Sequence, residues 1–170
     1  PTPVVVVFQR DELGYMSCYD AYLTAWEPDT NYGHTGALSA RTFGIKRPVL
    51  YFDVSSIPAG VTIMEAKLWL YASHYKRQPP ELNFTVYGLR RAWAEMQTTW
   101  NVAKTAQPWG QPGCNLMLTD RAQDSTDVKV LDGQDIWVDF DLTPLAVQWV
   151  ADPSSNHGII LVGGGPVTML

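Results

Sequence analysis

The chain reads IKRPVLYFDVSSIPAGVTIMEAKLWLYAS over residues 45–73, a stretch in which apolar residues alternate around a turn. Residues 48–53 form a short apolar run, and the Pro and Gly within residues 57–60 indicate a turn. From Met64 to Ala72 every second residue is apolar, which is typical of a strand with one buried face. The stretch therefore predicts two strands separated by a turn.

Similar patterns occur on both sides of this stretch. Short apolar or alternating runs cover residues 4–8, 20–26, 82–89, 136–142 and 158–162. Residues 103–127 lack strong periodicity and are predicted to be a long loop. Many short strands separated by turn residues are typical of an antiparallel sandwich or a jelly roll.

One segment has the pattern of a helix. Thr143 is a natural N-cap, Pro144 suits the first helical position, and apolar residues follow at a spacing of four. Residues 152–153, Asp and Pro, end the element. The predicted fold is all-β, an antiparallel, jelly-roll-like β-sandwich with one short helix near residues 144–151.

Length and charge limit the classes of protein. The 170 residues suit a single module over residues 1–170, and the opening Pro-Thr-Pro of residues 1–3 resembles a linker remnant. The net charge is −5 and the basic residues form only short clusters, which argues against nucleic-acid binding. No apolar run reaches the roughly 18 residues of a membrane-spanning helix.

The chain contains two cysteines, Cys18 and Cys114. They either form one disulfide or remain two free buried thiols, and their spacing does not decide between the alternatives.

Several quoted motifs resemble those of a known family. DAYLTAWEPDTNYG (residues 20–33), AWAEMQTTWN (92–101), IWVDFDLTPLAVQWV (136–150) and NHGIILVG (156–163) occur in the family's order around RPVLYFDVSSIPAG. Together they resemble the DNRLRE-domain family, whose members are related to disaggregatase-type repeats and to family 96 carbohydrate-binding modules. The resemblance implies a secreted or cell-surface β-sandwich, and some members of the family are thought to bind acidic sugars.

The resemblance also implies a further strand after residues 158–163, whereas this chain ends in GGGPVTML. We therefore expect the closing C-terminal strand to be missing, which would leave an open hydrogen-bonding edge. Residues 4–7 could fill that edge in the same chain or in a neighbouring copy. Exchange between copies would build a polymer.

Lys46 and Arg47 open the strand of residues 48–53. Arg47 lies inside the family's motif, so we expect it to pair with an acid such as Asp53 or Asp141 and to hold strand ends together. Lys46 lies outside the motif and is the better candidate for binding an acidic sugar. Among the aromatic residues, most are expected in the core, whereas Trp26, Tyr32, Tyr75 and Trp109 lie in or beside loops, where rings can stack on sugars.

Acidic residues suggest two further kinds of site. Asp139 and Asp141 share one face of a strand, a spacing compatible with glycoside hydrolysis, but turn and cap hydrogen bonding explains them better. Asp20, Asp29 and Asn31 surround a turn and form a candidate calcium site, although Asx turns explain the same residues. The chain has no zinc, P-loop or catalytic-triad motif.

Two functions follow from these observations. The first is a non-catalytic extracellular module that binds a carbohydrate, with an acidic polysaccharide as the favoured ligand. The alternative is a structural, adhesin or filament subunit that assembles with copies of itself by strand exchange. We expect neither nucleic-acid binding nor membrane insertion, and no cofactor apart from the candidate calcium ion.

Overall fold

The structure is a computed structural model that describes residues 2–75 and 82–164. In these residues nine strands and one α-helix follow one another along the chain. They are β1 (Cys18–Thr24), β2 (Lys46–Phe52), β3 (Lys67–Ala72), β4 (Leu82–Gly88), β5 (Val102–Lys104), β6 (Gln107–Pro108), β7 (Asp127–Leu131), β8 (Ile136–Asp141), α1 (Thr143–Ala151) and β9 (Ile159–Gly163).

The main sheet has five antiparallel strands in the order β1-β2-β9-β4-β7. β9 is therefore an interior strand, hydrogen-bonded to β2 on one side and to β4 on the other. Its burial on both faces explains why its sequence is continuously apolar instead of alternating. The predicted absence of a closing strand concerns residues 165–170, which lie outside the described residues.

A second sheet pairs β3 with β8 and packs on one face of the main sheet. Leu68 and Leu70 from β3, with Phe140 from β8, face inward and join the core beneath α1. Helix α1 adds Trp149 and Val150 to the same core. The predicted all-β sandwich with one short helix is confirmed.

The opposite face of the main sheet is covered by the segment of residues 89–122. Trp93, Trp109 and Cys114 from this segment pack on Leu23 and Ile160 of the sheet. Residues 103–127 were predicted to be a loop; this is wrong in part, because β5 and β6 form a hairpin there. Most of this segment is neither strand nor helix, so the residues that it buries against the sheet do not recur at a regular spacing in the sequence.

The helix begins one residue earlier than the pattern predicts. Thr143 is its first residue, and the Oγ1 of Thr143 accepts a hydrogen bond from the Ala66 N–H at 3.0 Å instead of capping α1. A carboxylate oxygen of Asp141 accepts the Thr143 N–H at 2.8 Å. The prediction of Thr143 as N-cap is therefore wrong, because the hydroxyl joins the helix to the segment preceding β3.

Residues 4–7 do not form the predicted strand. The side chains of these four valines are exposed, and no strand includes them. Within the described part of the chain, β1 and β7 are the outer strands of the main sheet. No helix among these residues has the length and apolar character required to cross a bilayer.

The cysteines are both free. Cys18 pairs with Phe52 at one end of β1, whereas Leu23, five positions further along, pairs with Arg47. Arg47 donates to the carbonyl of Gly113, the neighbour of Cys114, so Cys114 lies towards the end of β1 opposite to Cys18. The structure therefore has two free thiols in place of the Cys18–Cys114 disulfide.

Candidate functional site

An exposed tryptophan lies close to two cations where β1 ends and β2 begins. Trp26 follows β1 and is 58% exposed. The Arg41 guanidinium carbon lies 4.6 Å from the centroid of the Trp26 ring, and the Lys46 Nζ lies 5.6 Å from it. Both distances suit cation–π attraction, which holds the two cations beside the ring.

Two tyrosines extend this surface. The rings of Tyr22 and Tyr32 stack with centroids 4.5 Å apart and planes inclined by 17°. Lys46 Nζ lies 5.5 Å from the Tyr22 ring, so this one cation contacts both aromatic groups. The Tyr32 hydroxyl donates to the Glu27 carboxylate. We call Tyr22, Trp26, Tyr32, Arg41 and Lys46 the loop cluster.

Backbone hydrogen bonds hold the loop cluster in place. The register of β1 with β2 pairs Thr24 with Lys46, and the Ala25 N–H donates to Ile45 O at 3.0 Å. The Arg41 N–H donates to Lys46 O at 3.2 Å. Both cations and the tryptophan are therefore attached to one rigid strand end rather than to separate flexible loops.

Asn31 fixes the loop that carries Tyr32. Its amide nitrogen donates to the carbonyls of Glu95 and Thr98, each at 2.8 Å, and its amide oxygen accepts the Gly33 N–H at 3.2 Å. A side chain on Gly33 would overlap the Glu95 carbonyl, so the two segments approach as closely as glycine permits.

A polar cleft of about 490 Å³ lies beside the loop cluster, in the size range of ligand sites. Arg10, Asp20, His34 and Glu95 line it together with the backbone of residues 33–38. Burial, and then the Glu95 carboxylate, raise the pKa of Asp20, whereas Arg10 lowers it. Asp20 and Tyr22 are two residues apart in β1 and therefore lie on the same face of the strand. The cleft that Asp20 lines is thus next to the loop cluster, which includes Tyr22.

The structure thus brings together three of the five predicted ligand-binding residues: Trp26, Tyr32 and Lys46. Trp109 is not among them, because it is 3% exposed and its Nε1 donates to Thr99 O inside the core. The prediction of an exposed Trp109 is wrong, since the segment around it forms a packed layer. Tyr75 is half-buried beyond β3 and is not part of the loop cluster.

The predicted calcium ligands make other contacts. Asn31 joins two segments, and Asp29 accepts a hydrogen bond from the Asn101 amide at 2.7 Å. In residues 2–75 and 82–164, no group of three or more His, Cys, Asp or Glu side chains could hold a metal ion. The calcium site remains a prediction.

Asp139 and Asp141 lie on the outward face of β8, as their alternation with Phe140 predicts. Hydrogen bonds from Thr143 lower the pKa of Asp141, and Lys67 contributes in the same direction. A general acid for glycoside hydrolysis needs a raised pKa. Asp141 therefore fits the expected role in turn and cap hydrogen bonding.

Arg47 is buried, as its place in the motif suggests, but it does not bind the predicted acid. Its Nε donates to Gly44 O and its Nη1 to Gly113 O, each at 2.7 Å, and the guanidinium lies over Trp100. The expected pairing with Asp53 or Asp141 is wrong, because the turn before β2 and the segment that covers the sheet each supply a carbonyl oxygen at this position.

Two groups of residues were not predicted from the sequence. Arg41 and Tyr22 belong to the loop cluster, and only the folded register shows that they meet Trp26 and Tyr32. Trp69, Tyr71 and Trp137 belong to the aromatic residues of which most were expected in the core, but they face outward from the second sheet. Strand alternation is the signal that could have found them, because each lies one residue away from an inward-facing residue.

Comparison with known proteins gives one result. The model of carbohydrate-binding module family 96 matches residues 13–165, which is most of the chain. No curated protein matches it. The match confirms the family 96 part of the resemblance, whereas the DNRLRE name remains a prediction.

Proposed function

The chain belongs to carbohydrate-binding module family 96, and from this premise we propose that it binds an acidic polysaccharide through the loop cluster. The observation that carries the proposal is the exposed Trp26 ring with Arg41 and Lys46 beside it. A tryptophan face stacks on the apolar face of a sugar ring. Arg41 and Lys46, which lie over the Trp26 ring, supply the cations that bind the carboxylate of an acidic sugar.

The charge distribution supports an acidic ligand over a neutral one. The chain carries a net charge of −5, so a non-specific attraction to polyanions is not expected. Arg41 and Lys46 therefore form a local positive region on a negatively charged protein, and an acidic polysaccharide would bind at that region. In the adjacent polar cleft, Arg10 and His34 can bind the hydroxyls of a further sugar unit, and the Asp20 and Glu95 carboxylates favour a unit without charge there.

Modules of carbohydrate-binding families are generally non-catalytic and act outside the cell or at its surface. We extend both properties to this chain as part of the proposal. Asp141 supports the first property, because its carboxylate accepts the Thr143 N–H at 2.8 Å in the turn before α1 and this hydrogen bonding lowers its pKa, whereas a general acid needs a raised one.

Affinity electrophoresis tests the proposal. Alginate and pectate in the gel should retard the wild-type protein, and salt should weaken the retardation because charges are involved. Trp26→Ala and Lys46→Gln should each lower the affinity about tenfold or more. Lys104→Gln on β5 is the matched control, since it removes one positive charge away from the loop cluster. Absence of retardation by both acidic polymers would count against the proposal.

A second candidate function is assembly by strand donation. The exposed valines of residues 4–7 are β-branched, unpaired and suited to adding a strand to an outer strand of another copy. β1 and β7 are such outer strands within the described residues. The exposed apolar segment favours this candidate.

Sedimentation velocity at increasing protein concentration tests strand donation. The wild-type chain should form multimers, and Val5→Pro should abolish them, because proline removes a backbone N–H from the donated strand. Val5→Thr is the control, since it keeps the N–H and the β-branched shape. A wild-type protein that remains monomeric would remove this candidate.

A further inference from the structure

A second surface on this molecule has the chemistry of a carbohydrate site. On the outward face of the β3–β8 sheet, Trp69, Tyr71 and Trp137 are 54%, 50% and 62% exposed. They are three large aromatic side chains on one small sheet, where polar residues would be expected to face water. The family match does not explain why these three rings are exposed, and they are not part of the loop cluster.

The register of the two strands fixes the arrangement of this face. Tyr71 is paired with Trp137, and their ring centroids lie 5.2 Å apart. Trp69 is paired with Asp139 in the next outward-facing row. The three rings therefore form one continuous patch with a carboxylate beside them, and we call these four residues the sheet patch.

The sheet patch is rigid. Leu68, Leu70 and Phe140 alternate with its residues and are anchored in the core on the other side of the sheet. The Tyr71 hydroxyl donates to an Asp135 carboxylate oxygen at 3.3 Å, which orients that ring. Rings held in this way lose little conformational freedom when a ligand stacks on them.

The charges around the patch select the class of ligand. Asp135, Asp139 and Asp141 place three carboxylates on or beside it. Among the residues that the structure describes, Lys67 is the cation of β3 and β8, and it already pairs with Glu65 at 3.0 Å. An acidic polysaccharide would be repelled here, whereas the hydroxyls of a neutral sugar can donate hydrogen bonds to the carboxylates.

We propose that the sheet patch is a second carbohydrate-binding site, specific for neutral sugar chains that stack on Trp69 and Trp137 and donate hydroxyl hydrogen bonds to Asp139. The proposal rests on the carbohydrate-binding function of the family but not on the loop cluster. The two surfaces would then give one module two ligand preferences of different charge.

Affinity electrophoresis with three neutral polymers tests this proposal: mixed-linkage β-glucan, glucomannan and xylan. At least one should retard the wild-type protein, and Trp137→Ala should lower that affinity about tenfold or more. Trp69→Ala should act in the same way, and Trp137→Tyr should retain most of the binding. Salt should have little effect, because the ligand is uncharged.

Trp26→Ala is the matched control, and it separates the two proposals. It should leave binding to the neutral polymer unchanged, while Trp137→Ala leaves binding to alginate or pectate unchanged. Failure of the acidic polymers alone would overturn the loop-cluster proposal, and failure of the neutral polymers alone would overturn this one. Self-association that Trp137→Ala abolishes would also overturn it, because the patch would then be an interface between copies.

Discussion

Arg47 shows how a single side chain can join two layers of the molecule. Its guanidinium is buried and donates to two carbonyl oxygens and to Asn115 Oδ1 at 3.2 Å. Burial, and then the nearby Arg121, lower its pKa. The buried charge is balanced by oriented carbonyl dipoles and by the face of Trp100, not by a carboxylate.

We predict that Arg47→Lys lowers the free energy of unfolding by about 2–3 kcal/mol, because lysine cannot reach these acceptors with the same planar fork. Urea denaturation measures the change. Lys46→Arg, at the neighbouring half-buried cation, should stay within about 0.5 kcal/mol of wild type. Equal stability of Arg47→Lys and wild type would show that the fork geometry is not needed.

The pKa of Asp20 gives a second prediction at this scale. Burial and the Glu95 carboxylate raise the pKa of Asp20 above its ordinary value of 3.8, so the folded state binds this proton more tightly than the unfolded state does. The stabilisation that comes from this tighter proton binding is fully present at pH values below the pKa of Asp20 in the unfolded state. It is lost as the pH rises through the pKa of Asp20 in the folded state. Asp20→Asn should therefore stabilise the protein near neutral pH, and the gain should vanish at pH values below 3.8.

Thermal unfolding across this pH range measures the effect, and Asp124→Asn is the control, because Asp124 is exposed and lies outside the cleft that Asp20 lines. The same experiment with added calcium chloride and with EDTA tests the predicted calcium site. Calcium should stabilise the wild type more than Asp20→Asn if Asp20 is a ligand. A gain that persists in acid would contradict the linkage argument.

At the scale of elements, the turn before β9 determines how the main sheet closes. Gly158 has a φ of +84°, and a side chain there would overlap the carbonyl oxygen of Leu50 in β2. The Asn156 amide donates to Phe52 O at 2.8 Å, and the Leu89 N–H donates to Gly158 O at 2.9 Å. This short turn thus attaches β9 to both of its neighbours.

We expect Gly158→Ala to lower the free energy of unfolding by about 2 kcal/mol or more, from both backbone strain and steric overlap. Gly36→Ala is the matched control, because no atom lies within 4 Å of the added Cβ and its φ is not positive. Chemical denaturation of both variants checks the difference. Equal stability would show that β2 can move aside without cost.

At the scale of the whole molecule, the main sheet is covered on both faces. The β3–β8 sheet and α1 cover one face, and residues 89–122 cover the other. Each of these two covering layers buries its apolar side chains against the main sheet, and neither has a second hydrophobic core that is independent of those five strands. The covers should therefore not persist once the sheet is lost.

This arrangement predicts one cooperative unfolding transition. Tryptophan fluorescence, which reports Trp93 and Trp109 in one cover and Trp149 in the other, should coincide with circular dichroism of the strands. Because both cysteines are free, a reducing agent should leave the midpoint unchanged. Two separated transitions would contradict the prediction of a single module.

Which residues of the candidate site could be predicted depends on whether their position is set by local sequence or by contacts with distant residues. Trp26, Tyr32 and Lys46 were predicted correctly as neighbours of loops and strand ends, because those properties are local. Trp109 was wrongly predicted to be exposed, because it is buried by the packing of residues 89–122 on the sheet, and the sequence of that segment has no regular apolar alternation. Arg41 was missed because it meets Trp26 only through the pairing of β1 with β2.

Local sequence alone determined the two-residue alternation of the strands, the helix after β8 and the family to which the chain belongs. These properties depend on side-chain periodicity and on residues close together in the chain. Tertiary structure alone decided the position of β9 between β2 and β4, the carbonyl partners of Arg47, and the exposure of Trp69 and Trp137. Those features depend on strand order and on which layer covers which face, because contacts between distant residues form only when the chain is folded.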